Sequence, residues 1–197
     1  MRYLLGLALA LASSPHARTS SQVQVVETLQ LYYFVDNKND DPDDDDHALA
    51  LNRLEIFGSA GDIEARARVD AMYPYDTPGG TDGFHRDARL ERLAVVWRLG
   101  DLTLEAGDLH AQLGRSIALT LKPVEAAGID TALRGGRVQY QTGRQRAELF
   151  AGRANTVNVD TVNYHFQEDV DDILVGGRYA VSPEGWPEVA VHGLYLQ

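Results

Sequence analysis

The alternation of apolar and charged residues between positions 62 and 72 is the clearest pattern in the chain. Every odd position from 63 to 71 is apolar, and every even position from 62 to 70 is charged. A β-strand places alternate side chains on opposite faces, whereas a helix would distribute these five charges around its circumference. The segment therefore predicts a strand with one apolar face and one charged face.

Eight other stretches have strand character, and most of them alternate in the same way. The predicted strands are Val23–Val35, Ala48–Gly58, Asp62–Met72, Ala88–Leu99, Leu102–Leu109, Thr131–Tyr140, Gln145–Arg153, Asp171–Val181 and Pro187–Leu196. The second is the least regular, because its apolar residues before and after Asn52 are out of phase. A bulge near Asn52 would bring them onto one face.

The connections between these strands are alternately long and short. The long ones are Asp36–His47, Tyr73–Asp87, His110–Asp130 and Ala154–Val170. Outer-membrane barrels alternate in this way, since adjacent hairpins turn on opposite sides of the membrane. The sequence predicts an all-β fold, an antiparallel up-and-down transmembrane β-barrel in a Gram-negative outer membrane. The alternative is a soluble periplasmic β-sandwich, in which the apolar set from Ile63 to Ala71 would pack inside.

Aromatic residues lie near the ends of the predicted strands rather than at their centres. They are Tyr32, Tyr33, Phe34, Phe57, Tyr73, Trp97, Tyr140, Tyr179 and Trp186. Aromatic rings favour the headgroup level of a bilayer, which gives barrels their aromatic girdles. Aromatic residues also border loops in soluble sandwiches, so the pattern favours a barrel only slightly.

The N-terminus has the outline of a secretory signal peptide. Met1 and Arg2 precede the apolar stretch Tyr3–Ala12, and small residues follow. The alternative is a buried N-terminal helix. We therefore expect residues 1–20 to be a signal peptide and residues 21–197 to be a barrel domain. Nine strands cannot close a bacterial barrel, which needs an even number. We therefore expect an N-terminal portion of a longer barrel, truncated at its C-terminus, and the alternative is that the strand count is wrong by one.

Composition and motifs exclude several functional classes. The chain has no cysteine, which excludes disulfides and thiolate metal sites. Its net charge of −11 includes seven acidic residues between Asp36 and Asp46, so the remainder is only mildly acidic and does not suggest nucleic-acid binding. Catalytic and cofactor-binding motifs are absent from the sequence, and we expect neither enzymatic activity nor a cofactor. Asp108 and His110 have no serine partner and are interpreted as structural.

The acidic run from Asp36 to Asp46 could bind Ca²⁺, which prefers several oxygen ligands. Candidate ligands are Asp40, Asp43 and Asp45. The run lacks the spacing and the glycine of an EF-hand loop, and a solvated charge run is the alternative. Bridging by divalent cations to lipopolysaccharide is a further hypothesis.

The charged faces of the strands would line the lumen of a barrel. The lining candidates are Glu64, Arg66, Arg68, Asp70, Arg92, Arg98, Glu105, Arg137, Glu148 and Arg178. Six arginines against four acidic residues slightly favour anionic solutes. The functional hypothesis is a porin-like channel or conduit for a small polar solute in contact with the lipid bilayer. The alternative is an exported structural or ligand-binding barrel with a lumen closed by its own ion pairs.

The third long connection is unusually apolar for a loop in water, with Ile117, Leu119, Leu121 and Val124. We expect it to fold back on the barrel or into its lumen. Candidate constriction-loop residues are Arg115, Ser116, Lys122 and Glu125. The alternative is a short extra strand or helical turn at the rim.

Two motifs in this region carry a family resemblance. The segments Gly107–Leu119 and Gly128–Gly135 resemble a family of uncharacterised exported bacterial proteins, a domain of unknown function with outer-membrane-barrel character. The resemblance covers Arg89–Arg178, roughly half of the mature chain. It implies export and a barrel fold, and it supplies no activity or catalytic residues.

Overall fold

The computed structural model describes residues 3–11, 21–35, 47–75, 87–113, 119–121, 130–156, 159–160, 165–166, 169 and 171–197. The regular elements of this part of the chain are strands. They are β1 (Tyr3–Leu11), β2 (Gln22–Phe34), β3 (His47–Ala60), β4 (Ile63–Tyr75), β5 (Asp87–Leu99), β6 (Leu102–Leu109), β7 (Gln112–Leu113), β8 (Leu119–Thr120), β9 (Ala132–Thr142), β10 (Gln145–Asn155), β11 (Val159–Asp160), β12 (His165–Phe166), β13 (Ile173–Val181) and β14 (Val189–Leu196). No helix in the described ranges is long and apolar enough to span a membrane.

Ten strands form one antiparallel sheet in chain order, β1-β2-β3-β4-β5-β6-β9-β10-β13-β14. The short pairs β7-β8 and β11-β12 form two separate hairpins within long connections. Nine strands of the large sheet, β2 to β14, correspond to the nine predicted strands, which confirms the all-β antiparallel up-and-down sheet. Within the described residues, β1 and β14 form its two edges and do not pair to close a barrel.

β1 is a strand that the sequence did not predict. It pairs antiparallel with β2, from Tyr3 opposite Tyr33 to Leu11 opposite Val25. Leucines at alternate positions from 5 to 11 are separated by glycine or alanine, a period that suits a strand as well as the apolar part of a signal peptide. The signal peptide over residues 1–20 stays a prediction.

Three of the short connections are two-residue turns that begin with glycine. Gly61, Gly100 and Gly143 are each the first of two turn residues and have φ of 57°, 58° and 41°. Such two-residue turns twist with the strands they join, and their positive φ strains other residues. All three lie at one end of the sheet, and the strand ends that the long connections join lie at the other. The predicted alternation of short and long connections is confirmed.

The sheet separates apolar from charged residues on two faces. Residues opposite each other in register share a face, as Ile63 and Trp97 or Ala67 and Leu93 do. We call this apolar side the outer face and the opposite side the inner face. Large apolar side chains exposed on the outer face include Val23, Leu31, Ile56, Ile63, Leu93, Val95, Leu99, Val138, Leu149, Val175 and Val191.

The inner face is concave. Gln24 of β2 and Gln139 of β9 line one cleft although four strands lie between them, so the sheet must curve around it. A row of glycines permits part of this curvature: Gly107, Gly135 and Gly152 lie opposite each other on β6, β9 and β10. A Cβ atom on Gly135 would overlap the carbonyl oxygen of the β10 backbone. The strands can therefore bend here only without side chains.

The apolar core sits on the inner face near the long connections. One cluster contains Leu109, Leu113, Leu133, Phe150 and Leu174, with Ala111 beside them. Leu119 and Leu121, from the third long connection, pack against it. The described part of this connection therefore packs on the inner face, and it contains the short extra strand pair, β7-β8, that the sequence gave as the alternative.

The predicted bulge near Asn52 is wrong. β3 pairs through Asn52 with both β2 and β4 without a shift of register. Leu49 and Leu51 point to the inner face instead, where they pack in a second apolar cluster with Met72. No change of phase is needed, because both faces accept apolar side chains at this end of the sheet. The register shifts instead between β4 and β5, where Glu91 is the extra residue.

Candidate functional site

The inner face contains two adjoining polar clefts that share Arg137 and Gln139. The first cleft, of about 490 Å³, extends from β2 to β9 and is lined by Gln22, Gln24, Glu64, Arg66, Arg98 and Glu105, among others. The second cleft, of about 610 Å³, extends to β14 and is lined by His110, Gln112, Arg146, Glu148, Arg178 and His192, among others. Both clefts are open to water and rich in hydrogen-bonding groups.

The ten predicted lining residues all lie on the inner face. Seven of them line the two clefts: Glu64, Arg66, Arg98, Glu105, Arg137, Glu148 and Arg178. The other three, Arg68, Asp70 and Arg92, are buried. Alternation along the strands placed these residues on one face, and whether that face lines a closed lumen stays a prediction.

Arg137 joins the two clefts electrostatically. One end of its guanidinium pairs with Glu105, and Nη1 lies 3.5 Å from Glu148 Oε1. Glu105 also faces Arg66 Nη2, at 3.6 Å. The two buried carboxylates are thereby neutralised, which a charge removed from water requires. Arg137 Nη1 also donates to the backbone oxygen of His110 at 3.0 Å, so it fixes the start of the third long connection.

Asp130, just before β9, fastens the end of the same connection. Its carboxylate lies 3.1 Å from Arg68 Nη1, 3.4 Å from Arg92 Nη2 and 3.1 Å from His110 Nε2. Arg92 Nη2 also donates to the Asp130 backbone oxygen at 2.7 Å. We call these four residues the Asp130 clasp. It links β4 and β5 to both ends of the connection.

The charges of the clasp determine the ionisation of Asp130. Burial of its carboxyl group favours the neutral form, but the hydrogen bond with His110 and the electrostatic attraction of Arg92, His110 and Arg68 outweigh it. The pKa of Asp130 therefore falls from 3.8 to about 2. Asp130 is therefore ionised throughout the physiological range. The buried guanidinium of Arg68 has a second carboxylate partner, Asp70, at 2.5 Å.

The Asp108 side chain replaces a missing backbone acceptor where the β5-β6 ladder ends. The ladder extends only to Ala94 and Gly107, and Asp108 Oδ2 then accepts a hydrogen bond from the Leu93 backbone nitrogen at 2.7 Å. Oδ1 accepts hydrogen bonds from Arg134 Nε at 3.1 Å and Asn155 Nδ2 at 2.5 Å. These contacts give the fully buried Asp108 a structural role.

Sequence reasoning missed the part of the second cleft nearest the short turns. Arg146 and His192 line it, together with Glu188 in the short connection before β14. The position of Arg146, alternating with Ala147 and Leu149, was enough to place it on the inner face. The last strand carries few charges, so its pattern did not draw attention to His192.

Two sets of predicted residues cannot be placed. The constriction-loop candidates Arg115, Ser116, Lys122 and Glu125 lie outside the described residues, and so do the Ca²⁺ candidates Asp40, Asp43 and Asp45. Across the described part of the chain, no three histidine or acidic side chains are grouped to hold a metal ion.

Comparisons with known proteins identify no relative: the chain matches no family model, no curated protein and no solved structure. The resemblance of Gly107–Leu119 and Gly128–Gly135 to a family of exported proteins therefore stays a prediction. The site has to be interpreted from its own chemistry.

Proposed function

We propose that this chain forms part of an outer-membrane β-barrel whose inner face is a conduit for small polar solutes, with a preference for anions. The observation that carries the proposal is the exposure of the apolar outer face. Leu149, Val191 and Ile63 retain 68%, 71% and 45% exposure, and similar side chains continue across the sheet. Soluble monomers rarely expose an apolar surface of this extent, whereas lipid covers it in a membrane.

The same face argues against a soluble β-sandwich. A sandwich would bury the apolar set from Ile63 to Ala71 under a second sheet. In the structure, Ile63 is 45% exposed and no described strand covers it, whereas Arg68 and Asp70, on the opposite face of β4, are buried. Apolar residues outside and charged residues inside are the arrangement of a membrane barrel.

Strand length and aromatic positions agree with a bilayer. β4 has 13 residues, about 43 Å of strand, which crosses roughly 30 Å when tilted by about 45°. Aromatic side chains exposed on the outer face form two bands, Trp97, Tyr140 and Tyr179 towards the short turns and Tyr33, Tyr73 and Tyr195 towards the long connections. Such bands suit the two headgroup layers.

The conduit follows the two clefts. Arginines line it at several levels, which favours negatively charged solutes over positive ones. In the proposed orientation, the short turns face the periplasm and the long connections face outward.

A closed structural or ligand-binding barrel is the second candidate. The third connection packs on the inner face, and most charges there are ion-paired. Both features would narrow or close a lumen, while the outer face would still contact lipid.

Membrane fractionation and single-channel recording test these proposals. A barrel should be extracted from outer membranes only by detergent, and the folded form should migrate faster on gels before boiling. Stepwise conductance with anion preference supports the conduit, and its absence supports the closed barrel. Recovery as a soluble periplasmic protein would contradict both.

A further inference from the structure

We infer that the second cleft binds a small hydroxylated anion carrying a carboxylate or phosphate group, with Arg146 as its principal contact. The cleft has about 610 Å³ of space between β9, β10, β13 and β14, near the short turns. Binding at this site is a property of the inner face alone. Its contribution to transport rests on the proposed function.

Charge pairing leaves Arg146 available. Three arginines line the second cleft, and two have carboxylate partners: Arg137 pairs with Glu105 and Glu148, and Arg178 pairs with Glu188. Arg146 donates hydrogen bonds to a neutral amide, the side chain of Gln141. Arg146 is therefore the one of the three with no carboxylate within ion-pair distance among the described residues.

Gln141 also orients the Arg146 guanidinium. Its Oε1 accepts hydrogen bonds from Nε at 3.2 Å and from Nη2 at 2.7 Å. An arginine has five N–H donors, so three are not used by Gln141. A planar guanidinium fixed in this way suits the two oxygens of a carboxylate or phosphate. Holding it in advance reduces the entropy lost on binding.

The surroundings define the rest of the ligand. His110, His192, Gln112 and Gln139 can donate or accept hydrogen bonds, and Glu148 can accept them from hydroxyl groups. Nine of the ten lining residues are polar, so the cleft offers few contacts to an apolar tail. Because the cleft lies on the inner face, away from the apolar outer face, the ligand is a water-soluble molecule rather than a lipid. A hydroxycarboxylate or sugar phosphate fits this description.

Titration calorimetry on the full chain, folded in detergent micelles, tests the inference with glucose 6-phosphate as probe and glucose as its neutral counterpart. Wild-type protein should bind the phosphate at about 150 mM salt, where unspecific charge attraction is screened. Arg146→Gln should weaken binding by about tenfold or more, because a charge-assisted bidentate contact is lost. Gln141→Leu keeps the charge but not its orientation and should weaken binding less.

Arg144→Gln is the matched control. Arg144 lies in the adjacent turn, pairs with the exposed Glu184 and does not line the cleft. The same change of charge should therefore leave affinity unaltered. Equal weakening in both variants, equal binding of glucose, or no binding by folded wild-type protein would overturn the inference. The faster gel migration of unboiled samples shows that each variant is folded.

The binding assay and the conductance assay fail independently. If binding depends on Arg146 but the protein does not conduct, the proposed binding site is supported and the conduit is refuted. If the protein conducts but does not bind the sugar phosphate, the binding site is refuted and the conduit is supported.

Discussion

Replacing Asp130 by asparagine tests whether the Asp130 clasp holds the third long connection against the inner face. The carboxylate is only 16% exposed and lies near two arginines whose side chains are at most 9% exposed. A pKa of about 2 against the ordinary 3.8 corresponds to roughly 2 kcal/mol of stabilisation of the folded state near neutral pH. Loss of a partner for buried Arg68 and Arg92 adds to this cost. We expect Asp130→Asn to lower the free energy of unfolding by about 2–4 kcal/mol.

The loss of stability caused by Asp130→Asn should also become smaller as the pH is lowered. Because the pKa of Asp130 is lowered in the folded state, its stabilisation is complete above the unfolded value of 3.8 and is lost as pH falls to about 2. Asparagine does not titrate at this position. The stability difference between wild type and Asp130→Asn should therefore shrink by roughly 2 kcal/mol between pH 5 and pH 2.

Denaturant unfolding in lipid vesicles, followed by the fluorescence of the two tryptophans, measures both quantities. Asp171→Asn is the control, because Asp171 is 91% exposed in its pair with Arg153. An exposed pair of this kind contributes about 0–1 kcal/mol. The reasoning is refuted if Asp130→Asn costs no more than this control, or if its cost is the same at pH 5 and pH 2.

Three further substitutions test other parts of the account. Gly135→Ala should prevent folding or strongly destabilise the protein, because its Cβ would overlap the β10 backbone. Gly136→Ala is the control and should fold, because its Cβ would meet only an ordinary contact at 3.6 Å. The yield of the fast-migrating gel form measures how much of each variant folds. Leu149→Arg should lower the free energy of unfolding in a bilayer by about 2–4 kcal/mol, because it places a charge on the lipid-facing side. Gln139→Arg, on the inner face, should lower it little. Equal losses for the two variants in vesicle unfolding would argue against lipid at the outer face. Asp108→Ala should lower the free energy of unfolding by about 1–3 kcal/mol or more, because it leaves the Leu93 N–H without its acceptor. An unchanged free energy of unfolding in the same assay would contradict a structural role for Asp108.

Alternation made the strands predictable because a sheet with two different faces imposes it at every position. The predicted Asp62–Met72 strand differs from the observed Ile63–Tyr75 by three residues at most. The start of this strand could be predicted because Gly61 marks the turn that precedes it. β1 was missed because alternating leucine and alanine suit a signal peptide equally well, and the bulge was misplaced because Leu49 and Leu51 have an apolar environment on the inner face too.

The faces of the charged residues were predictable, but their partners were not. Arg68 and Asp130 are 62 positions apart and meet only because the third connection folds over the inner face. That folding depends on packing of Leu119 and Leu121, which no local pattern specifies. Among the described residues Arg146 has no carboxylate partner, because the nearby Glu148 and Glu188 pair with Arg137 and Arg178, and these pairings too depend on the assembled sheet.

The central claim is that lipid covers the outer face and water reaches the inner face. The chain has no cysteine, so single cysteines can be placed along β10 without background and treated with a membrane-impermeant maleimide in intact outer-membrane vesicles. Cysteines at Leu149 and Ala151, on the outer face, should remain unlabelled until detergent and urea expose them. A cysteine at Arg146, on the inner face, should react through the aqueous clefts. Equal labelling at outer and inner positions in intact vesicles would contradict the account.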